Sequence, residues 1–563
     1  MKKLFYFQVM VTTIFFWSCQ SDNGSFRKIS KSEYIDKMKG AWIGQMAGVG
    51  WGQPTEFKWI DSYIPADKVP AWEPEMVNQH GNDDIYVEMT FLASLEKYGP
   101  DVSIRHAGID FANSEYPLWA ANRAGRENLR SGIAPPESSH PQFTDHCDDI
   151  DYQIESDYSG ILAPGMPSVP IALGEKFGRL MNYGDGLYGG QFMGSMYSAA
   201  FFEKNIEKVI TKGLESIPSE SMYARCIRDV IRWYRENPGD WTKTWQHIED
   251  QYRTSMEYQK FAAERKSVYI PIDSKINGAY VVMGLLYGKG NMDSTIVIAM
   301  RGGKDSDCNP SNAGGVLGAI LGYQNIPARF RDSLDINRDF LYSRYNFNSL
   351  MTVCENLTEL YITRNGGKIE KDDNGNTWYE IPEIIPQPSV FTASYQPGPF
   401  DASNRFSEEE MKEIRAYPAS AFDPVAKQLD IKMEVTGCGK DVTPGLIKWE
   451  GKNKVFTTCP MSNNGKVTLH LTPALPDKIN GKIFLVIYAG HDKGSSWKLT
   501  VMKSWQKIID QEIPDIVDGK TWTEIKIDLS DWIGKQPGDL QVSAENIDGK
   551  PAVNYWAGFV IED

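Results

Sequence analysis

The chain has 563 residues, of which 41% are hydrophobic and 24% charged, with a formal net charge of -15. At roughly 150 residues per domain, this length predicts more than one domain. The acidic balance argues against a nucleic-acid or anionic-membrane surface, because such surfaces require clustered Lys and Arg.

The first residues have the pattern of an export signal. Lys2 and Lys3 precede an apolar run over residues 4–17, and Cys19 follows almost directly. The run is too short for an ordinary spanning helix, so the pattern predicts a signal peptide. A cysteine at this place resembles a bacterial lipoprotein signal. We therefore expect residues 1–19 to be a leader, Cys19 to be lipidated, and the protein to be anchored at the outer membrane, on its periplasmic or cell-surface side. Secretion without an anchor is the alternative.

The remaining cysteines are scattered and form no C-x-x-C pair, which argues against zinc and redox motifs. Export would permit disulfides, and the close candidates in sequence are Cys438 and Cys459. We expect free buried thiols at the other four positions: Cys147, Cys226, Cys308 and Cys354.

A glycine-rich stretch over residues 40–57 predicts a helix that ends just before Glu56. Residues 59–80 then contain three prolines and two tryptophans, which exclude a regular helix. Long loops of this kind in compact domains are usually functional. Because the loop leads to Asp83, we expect it to form one wall of a pocket.

Two adjacent carboxylates, Asp83 and Asp84, stand at the start of an amphipathic helix. Apolar residues recur at helical spacing from Ile85 to Leu95. Carboxylates are favourable beside any helix N-terminus, so an ordinary helix cap is the alternative to a functional site.

A second pair, Asp305 and Asp307, precedes a helix rich in small residues. Asn309 can cap this helix and Pro310 can be its first residue. Oxygen ligands at a helix N-terminus suit a hard divalent cation. The alternative is a solvated acidic loop before a packing helix.

The last part of the chain changes character. Residues 363–425 are rich in Pro, Asn and Gly and predict a linker or connecting segment. From residue 426 to 563, apolar and polar residues alternate, as at Val467, Leu469 and Leu471, which predicts a β-sandwich. This part resembles the jelly-roll modules of carbohydrate-active enzymes. Its tryptophans either stack on sugars or, as we favour, fill the core: Trp497, Trp505, Trp522, Trp532 and Trp556.

The three N-terminal motifs together resemble the ADP-ribosylglycohydrolase family, in particular an exported bacterial branch. They are the glycine-rich helix before Glu56, the sequence Asn82-Asp83-Asp84-Ile85, and the sequence Asp305-Ser306-Asp307-Cys308. The resemblance implies an all-α catalytic domain over residues 30–362. The expected protein is thus multidomain, with this helical domain followed by an all-β, jelly-roll-like sandwich.

The resemblance also implies roles for individual residues. Catalysis is expected from Glu56, Asp83 and Asp84. The expected metal ligands are Asn82, Asp83, Asp84, Asp305, Asp307 and Cys308. The expected substrate contacts are Asp149, Asp151, Gln153 and Asp185, although a solvated acidic helix is the alternative for residues 145–167. In the family such residues hold a pair of divalent cations, usually Mg²⁺, so the resemblance implies one or two Mg²⁺ ions here. Carboxylate ligands without His agree with Mg²⁺, Ca²⁺ or Mn²⁺ rather than zinc.

The expected activity is metal-dependent hydrolysis of an N- or O-glycosidic bond to a furanose-like sugar (EC 3.2 class). An exported protein with a lectin-like tail favours a glycan as substrate over ADP-ribosylated cytosolic proteins. The alternatives are a true ADP-ribosyl hydrolase, a catalytically degenerate sugar-binding lipoprotein, and a structural envelope protein. The expected partners are a small-molecule or glycan substrate, with membrane association only through the lipid anchor.

Overall fold

A computed structural model describes residues 25–254, 272–475, 481–504, 506–513, 521–535, 538–550 and 552–562. Within these ranges the buried apolar residues form two large cores. The first extends from Ile29 to Ile414 and the second from Phe422 to Phe559. The chain is therefore a helical domain followed by a β-sandwich, which confirms the predicted fold class.

The helical domain carries most of the helices. They are α1 Lys31–Gly52, α2 Asp83–Tyr98, α3 Ile104–Ala112, α4 Ala120–Arg130, α5 Asp151–Ile154, α6 Asp157–Ile161, α7 Ser168–Lys176, α8 Asp185–Ala200, α9 Ile206–Leu214, α10 Met222–Glu236, α11 Trp241–Ile248, α12 Ser274–Gly288, α13 Met292–Arg301, α14 Cys308–Leu321, α15 Phe347–Arg364, α16 Glu408–Glu413 and α17 Asp423–Leu429. The last of these packs with the sandwich core.

The centre of the helical domain is the antiparallel pair α1 and α14, which meet through glycines. A Cβ atom on Gly44 would lie 2.1 Å from the Gly314 carbonyl oxygen, and one on Gly40 would lie 2.4 Å from that of Gly318. Because no side chain larger than hydrogen fits these positions, the backbones come into direct contact. At the C-terminal end of α1, Gly52 lies against Ser306. The pairing of α1 with α14 therefore holds the second acidic motif beside the end of α1.

A small sheet joins the beginning of the chain to the segment expected to be a connection. Its strands are β1 Phe26–Ser30, β2 Lys368–Lys371 and β3 Thr377–Pro382, in the order β1-β3-β2. Tyr379 and Ile381 of β3 belong to the core of the helical domain. Much of the 363–425 segment is thus folded onto this domain, which the Pro-rich sequence does not indicate.

The sandwich has two five-stranded antiparallel sheets, ordered β10-β9-β12-β7-β4 and β11-β8-β13-β6-β5. The strands are β4 Lys432–Thr436, β5 Ile447–Trp449, β6 Lys452–Thr458, β7 Lys466–Thr472, β8 Phe484–His491, β9 Trp497–Lys503, β10 Gln506–Ile513, β11 Thr523–Asp528, β12 Leu540–Asn546 and β13 Asn554–Glu562. Trp497, Trp532 and Trp556 are buried in the core, as we favoured, and Trp522 is half-buried. Trp505 lies outside the described residues. No helix in the described ranges has the length and apolar character needed to cross a membrane.

Candidate functional site

Three chain segments meet at one end of the α1–α14 pair. Glu56 follows a 3-10 turn at Gln53–Thr55. The Asn82 side chain caps α2 by accepting a hydrogen bond from the Asp84 backbone N–H, over 3.0 Å. The third segment leads into α14, which begins at Cys308 with Asp307 as its N-cap, slightly earlier than the expected start at Pro310.

The backbone of residues 57–64 holds the loop before α14 in place. The Phe57 N–H donates to the Lys304 carbonyl oxygen over 3.0 Å, and the Lys304 N–H donates to the Trp59 carbonyl oxygen over 2.8 Å. The hydroxyl groups of Thr55 and Ser306 lie 2.8 Å apart and are buried. The segment after α1 therefore fixes the position of the second acidic motif.

These contacts bring the predicted acidic residues together. Ligand atoms of Asp305, Asp307 and Cys308 all lie within 4.8 Å of one another. The Asn82 amide approaches Asp307 Oδ2 to 3.5 Å, and the Cys308 thiol donates to Asp84 Oδ1 over 3.1 Å. The structure thus places both acidic motifs in one cluster.

Three buried oxygens in this cluster have no hydrogen-bond donor among the described residues: Asp84 Oδ2, Asp305 Oδ1 and Asp307 Oδ1. A buried carboxylate oxygen without a partner costs folding free energy, so such oxygens usually accept a hydrogen bond or bind a metal ion. Hard oxygen ligands of this kind fit Mg²⁺, Ca²⁺ or Mn²⁺. The residues present therefore fit a divalent cation.

The cluster raises the pKa of its own acids. Burial, followed by the charges of Asp307 and Asp83, raises the pKa of Glu56 to about 8. Burial and the charge of Asp307 likewise raise the pKa of Asp83 to about 7. The pKa values of Asp84 and Asp305 also lie well above their usual range, because both are buried beside Asp307. Without a cation, the cluster therefore holds protons at neutral pH.

One predicted substrate contact lies beside the cluster. Asp151 accepts hydrogen bonds from the backbone N–H groups of Ala121 and Asn122, and its charge contributes to the raised pKa of Asp83. Glu155, one helical turn further along, is buried, and its charge interacts with both Asp151 and Asp83. Sequence reasoning missed Glu155 as a site residue, although its spacing of four from Asp151 was the available signal.

The other predicted substrate contacts take part in different interactions. Asp149 pairs with His146, with 2.7 Å between Oδ2 and Nδ1. Gln153 accepts a hydrogen bond from the Tyr223 hydroxyl over 2.7 Å, and Asp185 accepts one from the Tyr223 backbone N–H over 2.9 Å. Gln153 is fully buried. These contacts join α5, α8 and α10, and their role in binding substrate stays a prediction.

A second layer of acids lies behind the cluster and was also missed. Glu88 accepts hydrogen bonds from Gln45 Nε2 over 2.6 Å and from the Tyr158 backbone N–H over 2.7 Å. Asp157 accepts hydrogen bonds from Asn312 Nδ2 over 2.9 Å and from the Tyr197 hydroxyl over 2.5 Å. Glu88 lies one turn after Asp84 on α2, which is the signal that could have identified it. This layer connects α1, α2, α6, α8 and α14 below the site.

Comparison with known proteins identifies the family of the helical domain. The family model described as ADP-ribosylglycohydrolase matches residues 30–365. A search of curated proteins finds no match. One similar solved structure is titled "ADP-ribosylglycohydrolase-related protein complex"; it is 14% identical with a TM-score of 0.39, and the match covers 58% of this chain and 98% of that chain. Because the family model spans more than half of the sequence, this protein belongs to the ADP-ribosylglycohydrolase family.

Proposed function

We propose that this protein is a divalent-cation-dependent hydrolase that cleaves a glycosidic bond to a furanose-like sugar in a glycan. The observation that carries the proposal is that three carboxylates of the cluster, Asp84, Asp305 and Asp307, each have a buried oxygen without a hydrogen-bond partner among the described residues. Membership of the family supports a hydrolase. Cation dependence, the type of bond and the glycan substrate are the parts that we propose.

The cation would be held by Asp84, Asp305 and Asp307, with Asp83 and Asn82 at the edge of the cluster. When bound, Mg²⁺ would supply Lewis-acid chemistry to a sugar hydroxyl or water. The Cys308 thiol is a hydrogen-bond donor to Asp84, and burial beside carboxylates holds its pKa well above its usual range. We therefore propose that Cys308 orients the Asp84 carboxylate and does not bind the cation as a thiolate.

Glu56 is the best-placed general base. Its side chain is only partly buried, unlike those of Asp305 and Asp307. Without a cation its pKa is raised to about 8; a bound cation would displace the proton and leave Glu56 ionised, as a general base must be. Asp83, also partly exposed with a pKa of about 7, is the alternative base.

The choice of a glycan depends on the expected leader and on the sandwich. Cys19, the expected lipidation site, lies outside the described residues, and anchoring at the outer membrane remains our proposal. One sheet of the sandwich carries partly exposed aromatic side chains. Trp449 stacks on Tyr555 with 3.8 Å between ring centroids, and Trp522 meets the edge of Trp449 at 5.0 Å. Partly exposed aromatic surfaces of this kind can bind sugar rings, which supports a carbohydrate-binding role for the sandwich.

The first test is calorimetric titration of the leaderless protein with Mg²⁺ and Ca²⁺. We expect binding that is lost in the Asp305→Asn/Asp307→Asn double variant and kept in Glu96→Gln. Glu96 is a matched control because it pairs with Arg344 at the surface. A folded wild-type protein that binds neither ion would remove the proposed cation dependence.

The second test addresses the substrate. Furanosyl glycans and ADP-ribosyl-arginine would be assayed side by side with the wild type and with Glu56→Gln. We expect release of sugar from a glycan, with kcat roughly 10²–10⁴-fold lower in the variant, the usual contribution of a general base. Cleavage of ADP-ribosyl-arginine without cleavage of any glycan would favour the alternative, a true ADP-ribosyl hydrolase. Sugar binding without turnover would favour a degenerate binding protein.

A further inference from the structure

Two of the buried thiols lie together where the sandwich meets the helical domain. Cys438 follows β4 and Cys459 directly follows β6. Both sulfur atoms lie 3.5 Å from the same oxygen, the carbonyl of Gly439. We propose that Cys438 and Cys459 form an intramolecular disulfide that links these two segments of the sandwich.

The backbone already holds the two segments side by side. The Gly439 N–H donates to the Cys459 carbonyl oxygen over 2.8 Å, and Cys438 forms a β-bridge with Pro460. A disulfide requires Cα atoms within about 7 Å of each other, and neighbouring antiparallel segments meet this requirement. The backbone pairing therefore holds the two cysteines on adjacent segments.

The other thiols of the described residues lack such a neighbour. Cys226, for example, donates to the Lys275 carbonyl oxygen, and Cys308 donates to Asp84. Cys147 and Cys354 are buried in the helical domain. The pairing is thus specific to the two sandwich cysteines, and it is independent of the proposed hydrolase activity.

The bond would form by exchange with an external disulfide, either a small molecule or a protein. Cys459 is the favoured attacking group, because its interaction with the neighbouring Cys438 lowers its pKa. Its thiolate breaks the external S–S bond, forms a mixed disulfide and releases one thiol. Cys438 then attacks the sulfur of Cys459 and releases the second thiol. The two cysteines lose two electrons, the external disulfide gains them, and the two cysteine protons end on the released thiols.

The linked segments are those that contact the helical domain. Lys440 Nζ donates to the Met411 carbonyl oxygen over 2.9 Å, and Met411 packs against the core of the helical domain. Beyond Cys459, the Ser462 hydroxyl donates to Glu115 over 2.8 Å. A bond between Cys438 and Cys459 would therefore stabilise the surface on which the two domains meet.

The test uses the full chain, refolded from denaturant either in a glutathione buffer that contains oxidised glutathione or in dithiothreitol. Free thiols are then alkylated under denaturing conditions and the peptides are mapped by mass spectrometry. In the oxidising buffer we expect a linked pair of peptides containing Cys438 and Cys459, with both residues protected from alkylation. Closing a loop of this length should raise the melting temperature of the sandwich by roughly 6–12 °C over the reduced protein.

The variants Cys438→Ser and Cys459→Ser should each lose the linked peptides and the shift in melting temperature, whereas Cys354→Ser should keep both. Cys354 is a matched control because it is equally buried but lies in the helical core. Full alkylation of Cys438 and Cys459 in a natively refolded wild type would overturn the proposal. Linkage of either residue to a different cysteine would overturn it as well.

Discussion

The sulfur atom of Cys308 lies 3.1 Å from Oδ1 of Asp84, so a single hydrogen bond joins the first turns of α14 and α2 within the acidic cluster. This bond satisfies one oxygen of Asp84, while the other, Oδ2, has no donor among the described residues. The thiol thus orients the carboxylate with its unpaired oxygen available to a cation.

Replacing Cys308 tests this role. We expect Cys308→Ala to weaken Mg²⁺ binding by roughly 10-fold or more, the usual effect of losing a group that orients a metal ligand. Cys308→Ser should bind Mg²⁺ nearly as well as the wild type, because its hydroxyl can donate to the same oxygen. Both affinities can be measured by calorimetry. Equal affinities for the alanine and wild-type proteins would contradict the role.

Cation binding should depend on pH. Since Glu56 has a pKa of about 8 and Asp83 a pKa of about 7 without a cation, both hold protons that a bound cation would displace. We expect the affinity for Mg²⁺ to rise between pH 6 and pH 9, with release of protons. Titration in buffers of different ionisation enthalpy measures that release. An affinity that is constant over this range would show that the acids are already ionised.

The free energy of unfolding of the metal-free protein should fall as pH rises. A salt-bridged carboxylate has the opposite effect, because its pKa is lowered on folding. Glu56 has an ordinary pKa of 4.5 when unfolded and about 8 when folded. Between these values the folded state binds more protons than the unfolded state, so the free energy of unfolding falls as pH rises. Urea denaturation in the presence of a chelator, from pH 5 to pH 8, measures this fall.

Glu56→Gln provides the control for that experiment, since glutamine does not titrate. Its stability should decline less steeply than that of the wild type over the same range. Parallel curves for the two proteins would mean that Glu56 does not contribute to the pH dependence.

The contact between α1 and α14 should not tolerate a single methyl group. In Gly44→Ala the new Cβ would lie 2.1 Å from the Gly314 carbonyl oxygen, a backbone atom that cannot move without separating the helices. We expect a loss of stability of about 3 kcal/mol or more, at the upper end for overpacked cores. Thermal denaturation measures this loss. Gly239→Ala, where the added Cβ has open space around it, should be nearly neutral.

Several features could be predicted from the sequence because they depend on local order along the chain. The helix that begins at Asp83 is an example, as are the glycines of α1 and the alternation at Val467 and Leu469 in β7. Helical and strand periodicity act over a few residues, so these elements are visible without knowledge of the fold. The order of the acidic motifs was sufficient to recognise the family and hence the helical domain.

Other features were decided only by the tertiary structure. The pairing of β1 with β3 joins residues more than 300 positions apart, and Glu88 and Asp157 come together below the site from different helices. Gln153 and Asp185 were predicted to contact substrate, but both accept hydrogen bonds from Tyr223. Such contacts depend on how the helices pack. The residues involved are far apart in the sequence, so no local pattern indicates that they meet. The acidic cluster depends on both local sequence and tertiary structure. Local motifs supply its carboxylates, and the close approach of α1 and α14 brings them together.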